Sequence, residues 1–102
     1  MSRITTHVLD TARGRPAAGI PVRLDGPDGH LGDAVTDHDG RVGDLGPEGL
    51  EPGTYRLTFD VAAYDRDSFF PQVAVTFRVT HDEHHHVPLL LAPFTYSTYR
   101  GS

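Results

Sequence analysis

Histidine and arginine are the side chains of this sequence best suited to acid–base and electrostatic chemistry. Seven histidines and nine arginines occur in 102 residues, and lysine is absent. An imidazole titrates close to neutral pH, so it can take up or release a proton during a reaction. A guanidinium keeps its charge and offers several donors in one plane. A site that combines the two could therefore activate water and stabilise a developing anion.

Taken one at a time, the candidate residues have ordinary structural interpretations. His7 lies in a β-branched run, and a histidine in a strand is more often structural than catalytic. Arg41 follows a tight Asp-Gly turn, where an ordinary exposed arginine would also fit. Tyr99 and Arg100 lie near the C-terminus, a region that is typically frayed surface. Spacing alone therefore does not assign chemistry to any of them.

Three consecutive histidines, His84-His85-His86, precede an apolar segment. In a strand, His84 and His86 would share one face and His85 would point to the other. For His81, His84 and His85 the favoured interpretation is a solvated polar turn. The alternative is a metal site, but no His or Glu spacing here matches a zinc pattern. Because the chain has no cysteine, thiolate sites and disulfides are excluded. We predict no metal.

Short β-prone segments separated by Gly, Pro and Asp dominate the chain. Apolar and polar residues alternate from Tyr55 to Val61 and from Val73 to Val79, as in half-buried strands. The only candidate helix is Ala62–Asp67, and Gly43–Gly53 is predicted to be a loop. Seven to eight short strands with frequent turns indicate an all-β antiparallel sandwich with one short helix. Residues 1–102 are expected to form a single domain.

The segment Val87–Leu91 is almost continuously apolar and is interrupted only by Pro88. Such a run is typical of a strand that is buried on both faces or at an interface. Proline cannot donate to a β-ladder, so Pro88 is expected at an edge or a bulge. An apolar edge strand must be covered, which predicts a partner subunit.

Charge and hydropathy exclude two classes of partner. The formal net charge of −5 argues against a general nucleic-acid-binding protein. No apolar run approaches membrane-spanning length, so no membrane partner is expected. The first residues enter a strand-like pattern at once, without the pattern of a signal peptide. A cytoplasmic location is therefore expected.

Three runs carry a resemblance to a known family. They are Thr5-Thr6-His7-Val8-Leu9-Asp10-Thr11, then Thr36-Asp37-His38-Asp39-Gly40-Arg41, and finally residues 84–102, which begin His84-His85-His86-Val87-Pro88 and end Tyr99-Arg100-Gly101-Ser102. In this order they resemble the transthyretin-like 5-hydroxyisourate hydrolases, and the closing run is the most specific of the three. The resemblance covers essentially the whole chain. It departs from the family pattern at His85, where an aromatic residue is common, and at Ala92, where serine is common.

The resemblance implies a transthyretin-like fold and an enzyme of urate degradation. Its reaction opens the ring of 5-hydroxyisourate with water and gives 2-oxo-4-hydroxy-4-carboxy-5-ureidoimidazoline. The implied catalytic residues are His7, Arg41, His86 and Ser102, and the implied substrate contacts are His7, Arg41 and Tyr99. No metal or organic cofactor is required. A homotetramer, built as a dimer of dimers, is also implied.

The implied mechanism leaves some roles open. One histidine takes a proton from water and Arg41 stabilises the oxyanion, but either His7 or His86 could be the base. A nucleophilic serine is disfavoured because no Gly-x-Ser-x-Gly elbow surrounds any serine. Arg100 could contact the ring or hold the tail by an ion pair. The competing classes are a non-catalytic transthyretin-type binding protein, a structural or interaction sandwich, and a metal-binding protein.

Overall fold

Short strands make up most of the molecule. The computed structural model describes residues 3–81 and 83–102. The strands within these residues are β1 (Arg3–Asp10), β2 (Arg15–Pro16), β3 (Pro21–Gly26), β4 (Gly29–Val35), β5 (Arg41–Leu45), β6 (Gly53–Asp60), β7 (Gln72–Val79), β8 (His84–Ala92) and β9 (Thr95–Thr98). A 3₁₀ helix, Val61–Ala63, follows β6.

The strands form two sheets. The first has the order β2–β1–β8–β9, with β5 also paired to β1, and the second has the order β4–β3–β6–β7. Strands β1 and β8 run parallel, whereas the other pairs between strands are antiparallel. Buried apolar side chains from both sheets form one core cluster. The predicted all-β sandwich is therefore confirmed.

The core follows the alternation that the sequence predicts for β6 and β7. Leu57 and Phe59 are fully buried, and Val73 is 1% exposed, whereas Arg56 before Leu57 and Ala74 after Val73 are exposed. Successive side chains of a strand point to opposite faces, so one face of this sheet packs on the first sheet.

The predictions for β8 need correction. This strand lies between β1 and β9 rather than at an edge, so the argument from an uncovered edge strand was wrong. The backbone carbonyl of Pro88 points toward β9, where it accepts a hydrogen bond from the Thr98 hydroxyl at 2.7 Å. The regular β8–β9 pairing stops at Leu89 and Thr98, next to this proline. The expected irregularity is therefore present, but inside a sheet.

The helix predicted over Ala62–Asp67 is reduced to a single 3₁₀ turn. The Asp60 carboxylate caps this turn by accepting from the backbone N–H of Ala63 at 3.3 Å. The Asp65 carboxylate then accepts from the backbone N–H of Asp67 at 3.1 Å. Such local side-chain bonds offer the backbone an alternative to a helix, which explains the early end.

Two segments predicted as irregular contain strand residues. The loop predicted over Gly43–Gly53 begins later, because β5 pairs with β1 as far as Leu45. The polar turn predicted around His81–His85 is wrong for His84 and His85, which belong to β8. The strand count over the described residues is nine instead of seven to eight, with β2 only two residues long. Residues 3–81 and 83–102 contain no helix long and apolar enough to cross a membrane.

Candidate active site

Polar side chains of three strands meet on the outer face of the first sheet. In β1, Val8 faces the core, whereas Thr5 and His7 point to the opposite face. The parallel register places Thr5 opposite His86 of β8. On the other side of β1, the antiparallel register places His7 opposite Arg41 of β5. Of the four implied catalytic residues, His7 therefore belongs to β1, and Arg41 and His86 lie on the two strands that pair with it here.

A tight turn at residues 37–40 holds Arg41 beside β1. The Asp37 carboxylate accepts from the backbone N–H groups of Asp39 at 2.9 Å and Arg41 at 3.0 Å. The bond from Arg41 contributes most to keeping the pKa of Asp37 below its usual value. Gly40 has φ of 74°, and a Cβ at this position would lie 2.3 Å from the carbonyl oxygen of Val8. Only glycine fits so close an approach, so the Asp-Gly pair is needed for the position of Arg41.

The same turn fixes the proton of His7. Its Nε2 lies 2.9 Å from the backbone carbonyl oxygen of Asp39. A carbonyl oxygen only accepts, so Nε2 carries the proton and donates. In the neutral ring, the lone pair of His7 is consequently on Nδ1.

Arg41, His86 and Ser102 line one open cavity of about 240 Å³ on this face. Thr5 and His84 line the same cavity. Three of the four implied catalytic residues therefore meet in this cavity, whereas His7 is not among its lining residues.

His86 is half-buried, and its surroundings favour the neutral imidazole. Burial lowers the pKa of His86, and positive charge on His84, Arg41 and His7 lowers this pKa further. The ring is therefore uncharged at neutral pH and can accept a proton. The influence of both His7 and Arg41 on His86 indicates that the three groups form one electrostatic cluster.

The Thr5 hydroxyl connects two histidines of β8. Its Oγ1 lies 2.7 Å from Nε2 of His84 and 2.7 Å from Nδ1 of His86. The Thr5 residue is only 7% exposed, so water has little access to this group. Thr5 was not predicted from the sequence, and His84 was predicted to be a turn residue. The shared face of His84 and His86 was the available signal for His84.

The middle histidine of the run has a different environment. His85 faces the core and is 4% exposed. Its Nδ1 donates to the backbone carbonyl of Glu83 at 2.9 Å. His85 is therefore separated from the cavity by the thickness of the sheet.

The C-terminal tail is held against β8. The backbone N–H of Gly101 donates to the carbonyl of His86 at 2.8 Å. A Cβ on Gly101 would lie 2.4 Å from Cδ2 of His86, so glycine allows this approach. Arg100 forms an ion pair with Glu83 at 2.7 Å, and this bond lowers the pKa of Glu83. The tail-holding interpretation of Arg100 agrees with this contact.

Tyr99 does not line the cavity shared by Arg41 and Ser102. It is 59% exposed and lines a second cavity of about 320 Å³ with Phe77 and His85, and His86 lines both cavities. Its implied contact with substrate stays a prediction.

One group of side chains in the described part of the chain has the spacing of metal ligands. Asp37, His38 and Asp39 each offer an atom within 4.8 Å of the others, and all three are exposed. The Asp37 carboxylate already binds backbone N–H groups of its own turn. The cluster is therefore explained by the turn geometry.

The fold and these side chains define a transthyretin-like β-sandwich that carries a histidine–arginine pocket on its outer sheet face. Residues 4–101 match the model of a protein family that is described as "HIUase/Transthyretin family". The chain belongs to this family, and the resemblance found in its three sequence runs is confirmed.

Relatives with related names match almost the whole chain. The mouse (Mus musculus) 5-hydroxyisourate hydrolase is 45% identical, over 99% of this chain and 96% of the relative. The uric acid degradation bifunctional protein of Arabidopsis thaliana is 50% identical over 97% of this chain. The chain spans 37% of the length of that plant protein.

Solved structures give the same fold for a hydrolase and for a transthyretin in complex with thyroxine. The 5-hydroxyisourate hydrolase of Klebsiella pneumoniae has a TM-score of 0.89 and 35% identity, covering 98% of this chain and 99% of that chain. Sea bream transthyretin in complex with thyroxine has a TM-score of 0.87 and 28% identity, covering 97% and 94%. Because both classes share the fold, the pocket residues must distinguish them.

Proposed function

We propose that this protein hydrolyses 5-hydroxyisourate to 2-oxo-4-hydroxy-4-carboxy-5-ureidoimidazoline in urate degradation. The observation that carries the proposal is the cavity shared by Arg41, His86 and Ser102, with His7 opposite Arg41. The 45% identity to the mouse hydrolase supports the choice of substrate.

The reaction adds water to a ring carbonyl and then breaks the adjacent C–N bond. A neutral imidazole takes a proton from the attacking water, and the ring nitrogen that leaves takes up a proton as the bond breaks. His86 takes the proton from water and then passes it to the leaving nitrogen, so the two transfers balance, and His7 helps to hold the attacking water. His86 is suited to accept a proton because its pKa is lowered by burial and by neighbouring positive charge.

Arg41 acts on the oxygen of the attacked carbonyl. Attack by water makes that oxygen negative, and a fixed guanidinium stabilises it most in the transition state. Arg41 is held by its strand and by the turn before it, so its backbone does not need to reorganise. Ser102 holds the water through its hydroxyl, and Tyr99 contacts the planar ring of the substrate.

A transthyretin-type carrier is the alternative function, and the chemistry of the cavity argues against it. A channel for hydrophobic ligands needs apolar walls, whereas this cavity is lined by Arg3, Arg41, His84 and His86. A direct assay decides between the two. Urate oxidase generates 5-hydroxyisourate from urate, and its ultraviolet decay is followed with and without the protein. We expect decay to be accelerated in proportion to protein concentration; an unchanged spontaneous rate would contradict the enzyme.

We also propose a homotetramer in which the outer face of the first sheet is covered. Besides the family resemblance, support comes from Leu9 and Leu90, which are half-buried on that face next to the polar cavity. Two further sequence-based predictions stand beside this one: residues 1–102 as a single hydrolase domain, and a cytoplasmic location.

Sedimentation velocity tests the tetramer. We expect a species of about four times the chain mass of 11.2 kDa. Leu90→Arg would place a charge in the covered face and shift the population to smaller species. Val35→Arg is the matched control, because Val35 is already 60% exposed on the second sheet. A wild-type protein that sediments as a monomer would exclude this assembly.

A further inference from the structure

We propose that Thr5 and His84 are positioning residues that keep the ring proton of His86 on Nδ1 and thereby leave Nε2 as the atom that accepts a proton from water. This inference rests on the proposed hydrolase function. It assigns the base, which sequence reasoning left open between two histidines.

The Thr5 hydroxyl has a single proton, so it can donate only one hydrogen bond. Its Oγ1 is 2.7 Å from a nitrogen of His84 and 2.7 Å from a nitrogen of His86. A hydroxyl has one proton to donate and two lone pairs that accept. Thr5 can therefore donate to only one of the rings, and the other ring must donate to Thr5. The two tautomers are coupled through this hydroxyl.

The surroundings of His86 decide which of the two rings donates to Thr5 and which accepts from it. Nδ1 of His86 is occupied by Thr5, so Nε2 is the nitrogen left for the cavity that Arg41 also lines. A guanidinium cation favours a lone pair, and disfavours an N–H dipole, on a ring that faces it. His86 then donates through Nδ1–H to Thr5, and Thr5 donates to Nε2 of His84.

The two catalytic histidines consequently carry their protons on different nitrogens. His7 donates through Nε2 to the carbonyl of Asp39, whereas His86 keeps Nε2 unprotonated. During the reaction, the proton of water bonds to Nε2 of His86 and the O–H bond of water breaks as the oxygen attacks the carbonyl. Thr5 and His84 keep their own protons and act only by holding the ring.

Nitrogen-15 NMR of the imidazole rings tests the tautomer directly and without substrate. In the wild-type protein above the pKa of His86, we expect a protonated-type shift for Nδ1 and an unprotonated-type shift for Nε2. Thr5→Val removes the hydroxyl at nearly constant volume and should produce a mixture of tautomers. Thr5→Ser retains the hydroxyl and should keep the wild-type pattern. A wild-type proton on Nε2, or an unchanged tautomer in Thr5→Val, would overturn the proposal.

Kinetics give a second measure, which also applies if Thr5→Val folds poorly. Losing one hydrogen bond of ordinary strength should lower kcat by roughly threefold to tenfold, with little change in KM. We expect this loss for Thr5→Val and His84→Ala, and near-wild-type kcat for Thr5→Ser. The matched control for His84 is His81→Ala, because His81 is exposed and outside the cavity. Equal kcat for His84→Ala and His81→Ala would contradict the role of His84.

The two proposals can fail separately. If the wild-type ring carries its proton on Nδ1 but 5-hydroxyisourate decays at its spontaneous rate, the hydrolase function is wrong and the tautomer assignment stands. If hydrolysis is fast but the ring proton of His86 is on Nε2, the hydrolase function stands and the tautomer assignment is wrong. His86 would then donate a hydrogen bond into the cavity through Nε2.

Discussion

Replacing His86 by Gln is expected to lower kcat for 5-hydroxyisourate hydrolysis by about a hundredfold or more, the usual contribution of a general base. Glutamine can still accept a hydrogen bond from the cavity but cannot take up a proton. The exposed ring His30 on the second sheet, paired with Asp33 at 2.8 Å, provides the control His30→Gln. Steady-state kinetics on both variants measure the difference. A loss confined to KM would show that His86 only binds substrate.

The pH profile of the wild-type enzyme gives a further test of the same residue. A base must be unprotonated, so kcat/KM falls as pH drops through the pKa of His86. Burial and positive neighbours lower that pKa below its usual value of 6.5. The acidic limb should therefore lie below pH 6.5, and activity should persist in mildly acidic solution. A limb above pH 6.5 would indicate another titrating group.

The sequence allowed prediction of those features that depend on local alternation or on a recognisable run. Leu57, Phe59 and Val73 are buried as their period of two requires. His86 was distinguished from His84 and His85 because it directly precedes Val87-Pro88. The C-terminal run was predicted to contribute to the site, and Ser102 lines the same cavity as Arg41 and His86.

What escaped prediction depends on contacts between distant residues. Thr5 meets His84 and His86 only because β1 and β8 pair in parallel, with about 80 residues between them along the chain. No local pattern of residues specifies such a register. The interior position of β8 was missed for the same reason: an apolar run indicates burial but does not say which strands lie beside it.

The C-terminal tail is an exposed segment that reaches the candidate site. Gly101 binds the backbone of His86, and Ser102 extends into the cavity. Tyr99 and Arg100 are exposed and contribute no side chain to the buried core. The tail therefore belongs to the site more than to the sandwich, and its removal should separate activity from folding.

Truncation after Thr98 is expected to reduce kcat/KM by about a hundredfold or more, because it removes Ser102 and frees the backbone at His86. Thermal unfolding of the truncated chain should stay cooperative, since the core is unchanged. Arg100→Gln is the matched control. It removes only an exposed ion pair with Glu83, of a kind worth about 0–1 kcal/mol, so it should cost at most about fivefold. Ser102→Ala tests the Ser102 hydroxyl by itself, because it leaves the rest of the tail in place. Full activity without the tail would show that the closing run marks the family without serving the reaction. Equal losses of kcat/KM in the truncated chain and in Arg100→Gln would assign the whole effect to the ion pair between Arg100 and Glu83.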